Sequence, residues 1–120
     1  MDIGFRGIHH VSLNVDDLAQ AQTFYVDQLG MRLLDRPDLG FPGLWLDAGG
    51  QEIHLLAIES GVRAKEQHFA LLVDNLNELI EQLRARGVGC SDPIHMEGIC
   101  AQSFTRDPSG NLIEFNQRLS

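Results

Sequence analysis

Twice along the chain, a run of alternating apolar and polar residues gives way to apolar residues spaced three and four apart. The first copy is HHVSLNVDDLAQAQTFYVDQLG and the second is QHFALLVDNLNELIEQLRARG. Period-two alternation marks a strand with one buried face, and three-four spacing marks an amphipathic helix. Each copy therefore predicts a strand followed by a helix. Aligning His10 with His68 sets an offset of 58 residues that also pairs Val11, Leu13 and Val15 with Phe69, Leu71 and Val73, and Leu18 with Leu76. Leu18, Ala21, Tyr25 and Leu29 form the apolar face of one helix, and Leu76, Leu79, Ile80 and Leu83 that of the other. Asp16 and Asp74 stand where a helix cap is wanted, and Gly30 and Gly87 where a left-handed residue closes the last turn.

The later part of each half repeats as well, as LDAGGQEIHLL and TRDPSGNLIEF. Asp47 precedes His54 by seven residues and Asp107 precedes Glu114 by seven, at an offset of 60. The intervening Gly49-Gly50 and Pro108-Ser109-Gly110-Asn111 read as hairpin turns. Each half thus reads as strand, helix and about three strands, at residues 5–58 and 67–118, within a single domain spanning 1–120. Residues 59–66, ESGVRAKE, are polar and aperiodic and form the linker. The stretch from Arg36 to Gly43, RPDLGFPG, is irregular and is placed to form a mouth or lid.

Alternation also assigns faces. His10, Ser12 and Asn14 share one side of the first strand, opposite the helix-facing Val11, Leu13 and Val15. His68 is placed likewise in the second half, Glu52 and His54 lie on one face, and Glu114 and Asn116 lie on one face. Two matched halves paired about a pseudo-twofold axis would bring His10, His54, His68 and Glu114 together. Imidazoles with one carboxylate suit one divalent ion of Zn, Ni, Mn, Co or Fe and suit Ca²⁺ or Mg²⁺ poorly. His54 is either a fourth ligand or a pocket wall, and without it a two-His, one-carboxylate triad remains. Glu114, the acidic ligand, is the candidate catalytic base. Ser12, Glu52 and Trp45 are candidate substrate contacts, Glu52 alternatively being a solvated strand-end carboxylate and Trp45 a core residue. His9 is expected on the helix-facing side, and His95 has no counterpart in the first half.

Composition narrows the partners. The net charge of −8, with nine Lys and Arg, disfavours nucleic acid and acidic membrane surfaces. The sequence contains no apolar run long enough to span a bilayer and no leader pattern at its start, so the expected location is the cytoplasm. Cys90 and Cys100 lack paired metal-site or disulfide spacing and read as small hydrophobes.

Along essentially its whole length the chain resembles the vicinal oxygen chelate superfamily, through IHHVSLNVDDLAQAQTFYVDQLGM at the start and, most specifically, FTRDPSGNLIEF at the end. The resemblance implies an α+β fold of two βαβββ modules forming a curved, barrel-like mixed sheet with the helices outside. It also implies metal ligands at His10, His68 and Glu114, and a homodimer with sites shared between subunits. The expected activity is that of a metal-dependent glyoxalase-like lyase or isomerase, acting on a small substrate with vicinal oxygens through an enediolate-type intermediate. An Fe(II) extradiol-type dioxygenase and a non-catalytic, drug-sequestering dimer of the bleomycin resistance type are the alternatives, and a thiol transferase also belongs to the family. Where glyoxalase I has a second acidic ligand, this chain has His54, which leaves Glu114 as the only acidic one.

Overall fold

A computed structural model describes residues 3–59 and 63–119. The expected linker, 59–66, therefore lies partly outside the described residues, at 60–62. The elements run β1 (His10–Val15), α1 (Leu18–Gln22, continued by a π-helical segment Thr23–Gln28), β2 (Arg32–Leu34), β3 (Gly43–Asp47), β4 (Glu52–Ala57), β5 (His68–Leu72), α2 (Leu76–Ala85), β6 (Ile94–Met96), β7 (Cys100–Arg106) and β8 (Leu112–Arg118). Each half is a βαβββ unit with a four-stranded mixed sheet, ordered β1-β4-β3-β2 in the first and β5-β8-β7-β6 in the second. The α+β class follows directly, and within the chain the strands form two sheets rather than one continuous barrel wall.

Register reproduces the repeat. In the parallel β1/β4 pair Ser12 lies opposite His54, and in the parallel β5/β8 pair Ala70 lies opposite Glu114. The predicted faces hold too: Val15, Ile53, Leu55, Ile113 and Phe115 are buried, whereas His10, Ser12, Asn14, His68 and Ala70 are exposed. The core apolar side chains of both halves belong to one cluster, which includes Val15, Tyr25 and Leu55 of the first half and Leu76, Ile113 and Phe115 of the second.

Three local expectations shift. The capping residues are Asp17 and Asn75, one position later than Asp16 and Asp74; their side chains accept from Gln20 N at 3.0 Å and Glu78 N at 3.1 Å. The first helix widens into a π turn in which Leu29 N bonds Phe24 O at 2.9 Å, and beyond it Met31 N closes the helix end on Tyr25 O at 3.0 Å. The added residue per turn carries two adjacent aromatics, Phe24 and Tyr25, into the core together. The third shift is in the second hairpin, which has one more turn residue than the first. Trp45 is opposite His54 and Phe104 opposite Glu114, so β3 and β7 correspond at 59 while β4 and β8 correspond at 60. Gly30 and Gly87 do adopt positive φ, at 79° and 84°.

The halves are locked at equivalent points. Gln28 Nε2 donates to Arg86 O and Arg86 Nη1 donates to Gln28 O, both at 3.0 Å and 58 residues apart. Tyr25 reaches from the first helix to Asp107 Oδ2, 2.8 Å away in the second hairpin. Both groups are buried, and burial, followed by the Asp107 charge and hydrogen bond, pushes the phenol far above its usual range.

Candidate metal centre

In the second sheet, β5 and β8 put His68 and Glu114 side by side. His68 Nε2 lies 3.0 Å from Glu114 Oε1, while His68 Nδ1 donates to Glu66 O at 2.7 Å. That backbone bond fixes the proton on Nδ1, the second contact seen around metal-binding histidines, and leaves the Nε2 lone pair facing a carboxylate. Two acceptors cannot share such a contact without a proton or cation between them. Without a metal the proton is favoured: the Glu66 carbonyl, and after it Glu114, raises the imidazole above its usual pKa against the opposing effect of burial. A divalent ion satisfies the same pair, so the donor set fits one.

Glu114 is only 5% exposed, yet its remaining oxygen is fully engaged. Gln102 Nε2 and Asn116 Nδ2 donate to Oε2 at 3.1 and 2.8 Å. The carboxylate is thus held with Oε1 toward His68. Phe104 closes one side, its ring edge-on to His68 at 5.8 Å. Gln102 and Phe104 escaped the sequence reading, although period-two alternation along β7 places both on this face.

The first sheet carries the other predicted residues as a ladder of rings. His10 stacks on His54 at 3.9 Å, and His54 stacks on Trp45 at 4.6 Å. Trp45 is therefore on the histidine face and not in the core. His54 Nε2 meets Glu52 Oε1 at 2.8 Å, so Glu52 orients that ring instead of standing free in solvent. Ser12 is exposed beside them on β1, opposite His54 in register. Desolvation, then the neighbouring His54 and His9, lowers the His10 pKa and favours the neutral imidazole a metal requires. His9 is exposed and precedes the strand, its Nδ1 2.9 Å from that of His10, and so does not face the helix. His95 is exposed on β6.

One chain thus joins His68 with Glu114, and His10 with His54 and Glu52, on two different sheets. Among the described residues no group of three or more His, Cys, Asp or Glu side chains is placed to hold an ion by itself. No helix among them is long and apolar enough to cross a membrane.

Two βαβββ units, each presenting ligand-type residues on its open sheet face, define a glyoxalase-type fold. The sequence profile of the Glyoxalase/Bleomycin resistance protein/Dioxygenase superfamily matches residues 7–115, and the chain belongs to that superfamily. It is 34% identical to a lactoylglutathione lyase of Haemophilus influenzae, over 94% of this chain and 93% of that protein. It is 28% identical to the lactoylglutathione lyase GLX1 of Arabidopsis thaliana over 94% of its own length, but spans only 44% of that longer protein. Among solved structures, a glyoxalase family protein from Bacillus anthracis superposes with a TM-score of 0.88 at 28% identity, covering 98% of this chain and 99% of that one. An antibiotic-binding protein from Streptomyces, TnmS3, superposes with a TM-score of 0.79 at 25% identity over 98% and 99%.

Proposed function

We propose that the protein is a cytoplasmic, metal-dependent lyase or isomerase of the glyoxalase I type, active as a homodimer on a small molecule with vicinal oxygens. The observation that carries the reading is the His68–Glu114 pair, whose facing lone pairs are satisfied by a proton or by a shared metal ion. In this reading His10, His68 and Glu114 hold one Zn, Ni, Mn, Co or Fe ion, and His54 backs His10 as a stacked wall. The ion would polarise the vicinal oxygens of the substrate. Glu114 Oε1, on leaving the ion, would take and return the substrate proton, while Gln102 and Asn116 hold the other oxygen of its carboxylate. Trp45 and Phe104 wall the site and exclude water, and Ser12 and Glu52 line it.

The dimer is part of the proposal because His10 and the His68–Glu114 pair sit on separate sheets of one chain. A second copy supplies the missing face. Exposed apolar side chains, including Ile8, Leu72, Ile94 and Ile99, give it surface to cover. The likeness to an antibiotic-binding structure favours a second reading, a dimer that sequesters a planar molecule between Trp45 and Phe104.

The test is metal analysis of purified protein, followed by turnover of the methylglyoxal–glutathione hemithioacetal with Ni²⁺, Zn²⁺, Mn²⁺ or Fe²⁺ added. Metal uptake with turnover is expected, and Glu114→Gln should abolish turnover. Protein that binds none of these ions overturns the enzyme reading and leaves the sequestering one. Metal uptake without turnover of this substrate overturns the glyoxalase assignment.

A further inference from the structure

We infer that Arg36 is an anion-binding residue of the site, presenting its Nε and Nη2 edge to a carboxylate on the substrate. This deepens the reading above and rests on its premise that the face bearing His10, His54 and Trp45 receives the substrate.

Arg36 is in the loop between β2 and β3. Its Nη1 donates to Phe41 O at 3.0 Å, and its guanidinium carbon lies 5.0 Å from the centre of the Phe41 ring. Those contacts fix the plane of the group. They leave Nε and Nη2 buried, with no hydrogen-bond partner among the described residues. Asp35 and Asp38 are close in sequence, yet Arg36 forms no ion pair among the described residues. A guanidinium stays charged at every physiological pH, so a buried unpaired edge is costly and calls for an anion. The Nε–Nη2 edge is a planar fork matched to the two oxygens of a carboxylate.

Position ties this edge to the site. Gly43 is two residues before Trp45 on β3, hence on the same face and about 7 Å along the strand. A Cβ at Gly43 would stand 3.0 Å from Arg36 Nη2, 3.1 Å from its guanidinium carbon and 2.6 Å from Leu55 O. Glycine makes the room that the guanidinium fills. The register counterpart of Gly43 in the second half is Gln102, since Trp45 corresponds to Phe104. Gln102 uses its side chain to bind the Glu114 carboxylate. At the matching place the first half has a glycine, and a loop arginine brings donors there instead, but no carboxylate of the chain receives them. Leu39 and Phe41 of the same loop are exposed, so the guanidinium is seated next to the surface.

Two measurements test this. In metal-free protein, titration with propionate should shift the Arg36 Nε–H NMR resonance saturably, and propanol should not. No response to either propionate or inorganic phosphate overturns the site, and a response to phosphate alone overturns its assignment to carboxylates. In metal-loaded protein, methylglyoxal hemithioacetals of 3-mercaptopropionate and 2-mercaptoethanol differ chiefly by the carboxylate. Arg36→Lys, which keeps the charge and loses the fork, should lower the kcat/KM ratio of the anionic to the neutral substrate by about 10-fold or more. An unchanged ratio with turnover intact overturns the Arg36 role and leaves the glyoxalase reading standing. A propionate-induced shift with neither hemithioacetal turned over keeps the anion site and removes the glyoxalase reading.

Discussion

Tyr25 and Asp107 form a buried hydroxyl–carboxylate contact between the two halves, 2.8 Å long, with Asn111 also bonded to the same oxygen. Removing the hydroxyl takes a donor from a buried charge. Tyr25→Phe should therefore cost about 1–3 kcal/mol, read as a lower melting temperature in calorimetry, with little change in metal binding. Asp47 plays a related part at the surface of the first hairpin. Its carboxylate is held below its usual pKa chiefly by Gly50 N–H, then by Arg32 and by Gly49 N–H. A lowered folded value means that the stabilisation is complete above the unfolded pKa of about 3.9 and is lost as pH falls through the folded value. Asp47→Asn should melt lower than the parent at neutral pH, and the gap should close in strong acid. A gap independent of pH would contradict this role. At this scale the contacts of His68 with Glu114 and of His10 with His54 were legible because equivalent positions in a repeat carry polar residues on the open sheet faces. Arg36 was not, since a loop side chain finds its place only through tertiary packing around Gly43.

At the level of elements, the strands were readable from local alternation, and their faces followed without knowledge of the partner strand. The π segment left a fainter trace: Phe24 and Tyr25 are consecutive and both buried, which a regular helix accommodates poorly. The caps moved by one residue because each stands in a pair of suitable side chains, Asp16-Asp17 and Asp74-Asn75, and sequence alone does not choose within the pair. The matched seven-residue spacings of Asp47 to His54 and Asp107 to Glu114 concealed the extra turn residue, which only the register exposes. That register sets Gln102 opposite Asn116 and diagonal to Glu114, so that both amides reach the same oxygen of a proposed ligand. Gln102→Leu and Asn116→Leu should each weaken metal affinity by about 10- to 100-fold in calorimetric titration, with the circular dichroism spectrum retained. Unchanged affinity in both would mean that the two amides do not position Glu114 for metal.

For the whole molecule, the repeat is both the architecture and the reason a single chain leaves the faces of His10 and His68 apart. The helices and their sheet faces pack together around Tyr25 and the Gln28–Arg86 clasp, while the faces of His10 and His68 remain open. In the proposed dimer, one metal centre draws His10 from one subunit and His68 with Glu114 from the other. The most direct test is the metal content of a heterodimer purified from His10→Ala and Glu114→Ala chains carrying different tags. Each variant homodimer has every site damaged. In the heterodimer both lesions fall in one site and the other is intact, so about half the wild-type metal content should return. A heterodimer as metal-poor as either variant homodimer would contradict the shared centre.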